Sequence, residues 1–270
     1  MNIFIVSEDP EESAFLLCDQ HVVKMTLEST QLLFTCHHLT SNDSTEWILR
    51  FQNETGLEPY KPSHQKHGCQ IWIQQSTSNY RWLSTHALAL CKAYHARYTD
   101  KPVLKVEPLL EWLHNNYPNI PEGPLTPPYL AMPTECQYLY PWDDIEESEE
   151  NFMKRTVKSY RLYYLVYKAR FARYYYIEPP LWLKSHMTHI QTLTDAQYLA
   201  TIPDESEMKK IMKKKPRKVP HGQSISRTRV KKELPIIKEE QFVEKPVNLR
   251  PMTRSFAKAM AGASQNAGKD

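Results

Sequence analysis

"CDQHVVKMTLESTQLLFTCHHLT", residues 18–40, repeats apolar residues at helical spacing and carries only three formally charged side chains, Asp19, Lys24 and Glu28. At about 100° per residue, His21, Lys24, Glu28, Gln31 and Thr35 fall within an arc of about 80°. Met25 and Leu32 flank that arc on one side and Leu27 and Phe34 on the other; Val22, Val23, Leu33, Thr26, Ser29 and Thr30 fill the remaining circumference. A helix so uncharged outside one stripe needs other helices to cover it, which makes a helical body the expected fold. The stripe itself has two readings. As a wet face, it holds Lys24 and Glu28 as an i,i+4 pair contributing about 0.2–0.5 kcal/mol. As the wall of a cleft, it offers His21 for proton exchange, Glu28 as a base, Lys24 to steady an anion and Gln31 to read a polar edge. Asp19, at the helix start, serves either as a cap or as an orienter of His21.

Upstream, "NIFIV" (2–6) is β-branched and aromatic and reads as one short strand, and helical spacing begins at about Glu11. Downstream, "STEWILRFQ" (44–52) predicts a helix capped by Ser44 or Thr45. Helical spacing then resumes over 71–99 and again over 106–117. Residues 118–142 contain seven prolines yet are apolar and aromatic, which suits an ordered wrap over the body. One long helix is expected from about Asp144 to Tyr175, with acids at its start and cations in its later turns, stopped by Pro179-Pro180.

The expected architecture is a single mainly α domain, residues 1–203, with one short N-terminal strand and a proline-rich wrap. A disordered basic tail follows over residues 204–270. From Glu207 to Asp270 there are 17 Lys and Arg against 6 Asp and Glu, so the tail is +11 and the rest of the +3 chain is −8. Such a tail, with Lys213, Lys214, Lys215, Arg217 and Lys218 at its head, suits non-specific binding of single- or double-stranded DNA by counterion release. Six glycines and no phosphate-cradling loop argue against a nucleotide fold, and no cofactor is expected. Five scattered cysteines without a C-x-x-C pair argue against a disulfide framework or zinc ribbon, and no apolar run suits a membrane span. A soluble protein of the cytoplasm is expected.

Other clusters carry chemistry-bearing residues. "YKPSHQKHGC" (60–69) sets His64 and His67 three apart beside Cys69, a weak zinc pattern, so no metal site is assigned. Arg81 and His86 have the Arg-x4-His spacing of a group of helical ribonucleases, a pattern short enough to arise by chance. "YRLYYLVYKARFARYYY" (160–176) interleaves eight aromatics with Arg161, Lys168, Arg170 and Arg173, either a core stripe or a face for unstacked nucleic acid.

Blocks 1–33, 60–83 and 120–133, together with "YRLYYLVYKARFARY", give the chain a recognisable order of motifs. It resembles a family of small proteins common in bacteriophage genomes. These share an opening DP, a D-K-H-V-V-K-M helix, an H-x-x-H-P-C loop, an N-Y-x-W-L helix and an L-T-P…A-M-P segment. The resemblance covers about residues 1–180, with departures at Gln20 for Lys, at Gly68 for Pro and in the long tail. It implies a glycosylase-like helical enzyme of phage thymidine hypermodification, similar to transferases that place an amino acid or polyamine on an activated 5-hydroxymethyluracil in DNA. Asp19, His21, Lys24, Glu28, Gln31, His64, His67 and Asn79 would then be the site. The alternative is a non-catalytic nucleic-acid-binding protein with a helical body. A cleft further requires His21 and His64 to be poorly accessible on one cavity, Glu28 to lie close to Lys24, and Gln31 to face the opening.

Overall fold

A computed structural model of the chain describes residues 1–137 and 149–201. The chain divides into two units, Met1–Ile202 and Pro203–Asp270, and every described residue lies in the first. The acids 143–148, the basic cluster Lys213–Lys218 and the expected tail 204–270 therefore fall outside the described residues.

The body is helical. α1 (Pro10–Leu16), α2 (Asp19–Thr40), α3 (Ser44–Thr55), α4 (Gly68–Ile73), α5 (Thr77–Arg97), α6 (Glu107–Asn115), α7 (Glu149–Tyr163), α8 (Leu181–Thr192) and α9 (Asp195–Ala200) follow one another. α2 packs mainly on α5, and α5 in turn receives α1 and α6. The face of α2 rich in small residues makes this possible: Thr26, Ser29 and Thr30 are buried, and Thr26 and Thr30 return their hydroxyls to Val23 O and Thr26 O of their own helix.

Several expected boundaries move for identifiable reasons. Residues 2–6 form no strand, and no strand occurs among the described residues. Ile3, Phe4, Ile5 and Val6 are instead threaded, fully buried, through the helical body, with Phe4 in the left-handed region at φ 58°. The apolar spacing from Glu11 to Leu39 spans a break at Leu17 and Cys18, both extended. Arg97, in the last turn of α5, fills that break by donating to Leu17 O at 2.8 Å and Phe15 O at 2.6 Å. Asp43, not Ser44 or Thr45, caps α3 by accepting the Thr45 N–H at 2.8 Å. The 71–99 periodicity is cut where the Ser76 side chain starts a new helix.

The long helix expected through Tyr175 ends at Tyr163. A π turn over Tyr164–Lys168 follows, marked by the Ala169 N–H donating to Tyr164 O at 2.7 Å, and regular structure then stops. Cys18, not Asp19, occupies the cap position of α2. Residues 118–137 hold no α-helix. Their carbonyls receive the Trp72 indole N–H and the hydroxyls of Ser76 and Ser78 at 2.7–2.9 Å.

Candidate functional site

The stripe on α2 is graded rather than uniform. At its middle, Lys24 Nζ meets Glu28 Oε1 at 2.9 Å, with the lysine side chain 67 % exposed and the glutamate 14 %. Glu28 Oε2 accepts the Asn2 N–H at 3.2 Å. Asn2 then donates its side-chain amide to Ala131 O at 2.7 Å and accepts the N–H groups of Ile3 and Phe4. One carboxylate thus joins α2, the threaded N-terminal segment and the proline-rich segment.

The histidine loop joins the same corner. The Thr35 hydroxyl accepts the Ser63 N–H at 3.0 Å, laying the loop along the stripe. His67 caps α4 by accepting the Cys69 N–H at Nδ1, 3.1 Å, and its ring edge meets Tyr129 at 5.8 Å. Burial holds the His67 imidazole below its ordinary pKa; His64 adds to that effect and the charge of Glu28 opposes it.

A second cluster adjoins the first through Phe4. Its ring stacks on His21 at 4.1 Å and lies nearly parallel to Tyr163 at 6.0 Å. His21 Nδ1 hydrogen-bonds the Tyr164 hydroxyl, and Lys168 Nζ sits 4.4 Å above the Tyr163 ring. Tyr164 and Lys168 belong to the π turn. Among the described residues only Phe4 and His64 combine a side chain with positive φ, and each lies at one of these two adjoining clusters. Backbone strain and π turns both concentrate where a fold holds groups in place for a purpose.

Not every expected residue comes here. Asp19 is buried at the start of α2, turned away from the stripe, where it accepts from Arg97 at 3.1 Å and from the Tyr175 N–H at 2.7 Å. Burial raises its carboxyl above the usual range, with the Tyr175 amide and Arg97 pulling back. Asn79 is fully buried, donating to Trp72 O and accepting the Thr126 N–H, so it fixes the proline-rich segment. Gln31 is half-buried. His64 is exposed, at φ 51°, which corrects the expectation that it and His21 are both poorly accessible. The loop bends through a left-handed residue there and turns the imidazole outward.

The cations of residues 160–176 are engaged locally. Arg161 donates to Val6 O and lies over Trp182, while Arg170 donates to Ile190 O and Leu193 O and lies over Tyr198. Exposed Arg173 receives the side-chain oxygen of Gln20 on its N–H, and Gln20 donates back to Phe171 O, a two-way contact that a lysine could not make. Arg81 and His86 point to different sides of α5: Arg81 packs on Tyr117, and His86 is fully buried against Trp82 with neither ring nitrogen paired.

Among the described residues no group of three His, Cys, Asp or Glu could hold a metal ion, and burial pushes the Cys69 thiol up to about 12. No helix among them is long and apolar enough to cross a membrane. Sequence reasoning missed Asn2, Phe4, Tyr129 and Tyr164. Only the local "YY" at 163–164 could have hinted at the last. Comparison with known protein families, with curated proteins and with solved structures finds no match.

Proposed function

We propose that this chain is a viral DNA-modifying enzyme, a glycosylase-like transferase that joins an amine to an activated 5-hydroxymethyluracil in DNA. The observation that carries the reading is the meeting of Glu28, Lys24, the Asn2 segment and the His67 loop next to a strained Phe4 held on His21. Glu28 takes a proton from the incoming amine. The amine nitrogen forms a bond to the exocyclic methylene as the bond to the activating oxygen breaks. The leaving anion departs with the electron pair, and Lys24 offers it a positive charge.

The test incubates the full chain with DNA carrying the activated base and an amino acid or polyamine, then analyses nucleosides by mass spectrometry. An amine adduct is expected, falling at least about a hundredfold with Glu28→Gln while DNA affinity stays within about twofold. An adduct formed by that variant at the full rate removes Glu28 from the chemistry. DNA binding without any adduct leaves the chain as a non-catalytic nucleic-acid-binding protein.

A further inference from the structure

A groove of about 640 Å³ runs between α4, residues 127–130 and the start of α7. None of the residues assigned to the chemistry above lines it, yet it shares Tyr129 with the His67 corner. Tyr129 is seated tightly for a residue 51 % exposed. Its ring occupies the space where any side chain on residue 68 would go, 2.3 Å from an ideal Cβ on Gly68, and its carbonyl accepts the Tyr160 hydroxyl at 3.3 Å. The His67 edge holds the same ring from another direction. An aromatic ring fixed by its surroundings and still open on part of its surface is a platform, because little entropy remains to be lost when a flat group stacks on it.

Across the groove, Arg155 of α7 is half-buried and its guanidinium has no ion-pair or hydrogen-bond partner among the described residues. Gln75 and Gln137 also line the groove. Gln75 uses its oxygen on Thr126 and Gln137 its nitrogen on two carbonyls, which leaves one amide nitrogen and one amide oxygen to read an edge. A flat group, a bidentate anion and a mixed donor–acceptor edge describe one nucleotide.

We infer that this groove holds one nucleotide of single-stranded DNA, its base stacked on Tyr129 and its phosphate on Arg155, flanking the base presented to Glu28. The inference rests on the proposed DNA substrate but not on the proposed reaction. A groove occupied in this way sets which neighbour of the target base is accepted and holds the strand while the target nucleotide is extruded.

The test uses the full chain and short single strands carrying 2-aminopurine, in salt high enough to weaken purely electrostatic contacts. Wild-type protein should quench the fluorophore by stacking. Tyr129→Phe should quench equally, whereas Tyr129→Ala should lose the quenching and weaken binding about tenfold or more. Gly68→Ala, which touches no DNA itself, should behave like Tyr129→Ala because its Cβ displaces the ring. Arg155→Gln should lower the salt dependence of binding by about 0.7 in log–log slope, the share of one phosphate on a single strand. Circular dichroism checks that each variant is folded. Quenching and affinity unchanged in Tyr129→Ala and Arg155→Gln overturn the inference even if the amine adduct is formed. Loss of both in these variants upholds it even if no adduct ever appears. Adduct formation lost in Arg155→Gln with the salt dependence of DNA binding unchanged overturns it in favour of a carboxylate-bearing co-substrate in the groove.

Discussion

Asp19 and Glu28 are carboxylates on one helix, nine residues apart, and the protein uses them in opposite ways. Asp19 sits among backbone groups: it receives the Tyr175 N–H and faces Arg97, whose own guanidinium holds the carbonyls at the break between α1 and α2. Glu28 has one oxygen on a solvent-exposed lysine and the other on a backbone N–H at the edge of the histidine loop. The first is an internal joint that nothing outside the protein can reach. The second keeps a partner, Lys24, that solvent reaches. Two charges on one helix are therefore held to different degrees, one by fixed backbone groups and one by a side chain free to exchange with water.

The largest effect that would sharpen this contrast is Asp19→Asn, which leaves Arg97 as an uncompensated buried cation. It should cost about 3–5 kcal/mol in urea unfolding. A cost under about 1 kcal/mol would make Asp19 no more structural than Glu28.

Histidines extend the comparison. His37 and His86 are both buried in the core and held down to a pKa of about 3, chiefly by burial. Both are neutral in the folded chain, while the unfolded chain binds their protons below about 6.5. Their contribution is complete above that value and declines as pH falls towards 3. At pH 5 the loss should be roughly 2 kcal/mol for each. His86→Phe should remove one share of the acid sensitivity in thermal melts at pH 5 and 7, and a variant as acid-sensitive as the parent breaks the argument.

Phe4 offers a smaller and sharper test. At an ordinary site glycine is worse than alanine, but at φ 58° alanine keeps the backbone penalty and glycine does not. Phe4→Gly should be more stable than Phe4→Ala by about 1 kcal/mol, although both lose the ring packing. The reverse order in urea unfolding would mean that the segment carries no strain.

Smallest of all, Glu28→Gln should change stability by no more than about 0.5 kcal/mol, since it removes one partly exposed ion pair and keeps an acceptor for Asn2. A loss comparable with that of Asp19→Asn would make Glu28 a structural residue and remove the distinction between the two carboxylates.

Much of the helical body was legible because apolar periodicity is local: α3, α6 and the end of α2 lie close to where spacing and breakers put them. Breaks were less legible. Ser76 looks like any serine until its side chain takes the Asn79 N–H, and Leu17 and Cys18 continue a helical pattern that only Arg97, 80 residues on, interrupts. The site divides in the same way. The stripe, His67 and Asn79 were visible as residue types at spacing, whereas Phe4 and Tyr129 act through backbone conformation and fit against residues far along the chain. "NIFIV" has strand composition, and the helices around it take up its side chains without any partner strand.

The joint at Asp19 also bears on the order in which the molecule is made. Its N–H donates to Arg173 O, its carboxylate receives Tyr175, and Gln20 binds Phe171 and Arg173, so the start of α2 is closed by residues some 150 positions later. Helices α1 to α6 can begin to associate as they emerge from the ribosome, since α2 packs mainly on α5 and α5 in turn on α1 and α6. The hydroxyl that hydrogen-bonds His21 comes from residue 164, and the closing segment comes later still. The N-terminal half must therefore wait, with His21 and the buried end of α2 open, until the chain past residue 175 arrives. Pulse-labelled hydrogen exchange during refolding should find the amides of Asp19 and Tyr175 among the last to be protected, with those inside α5 protected earlier.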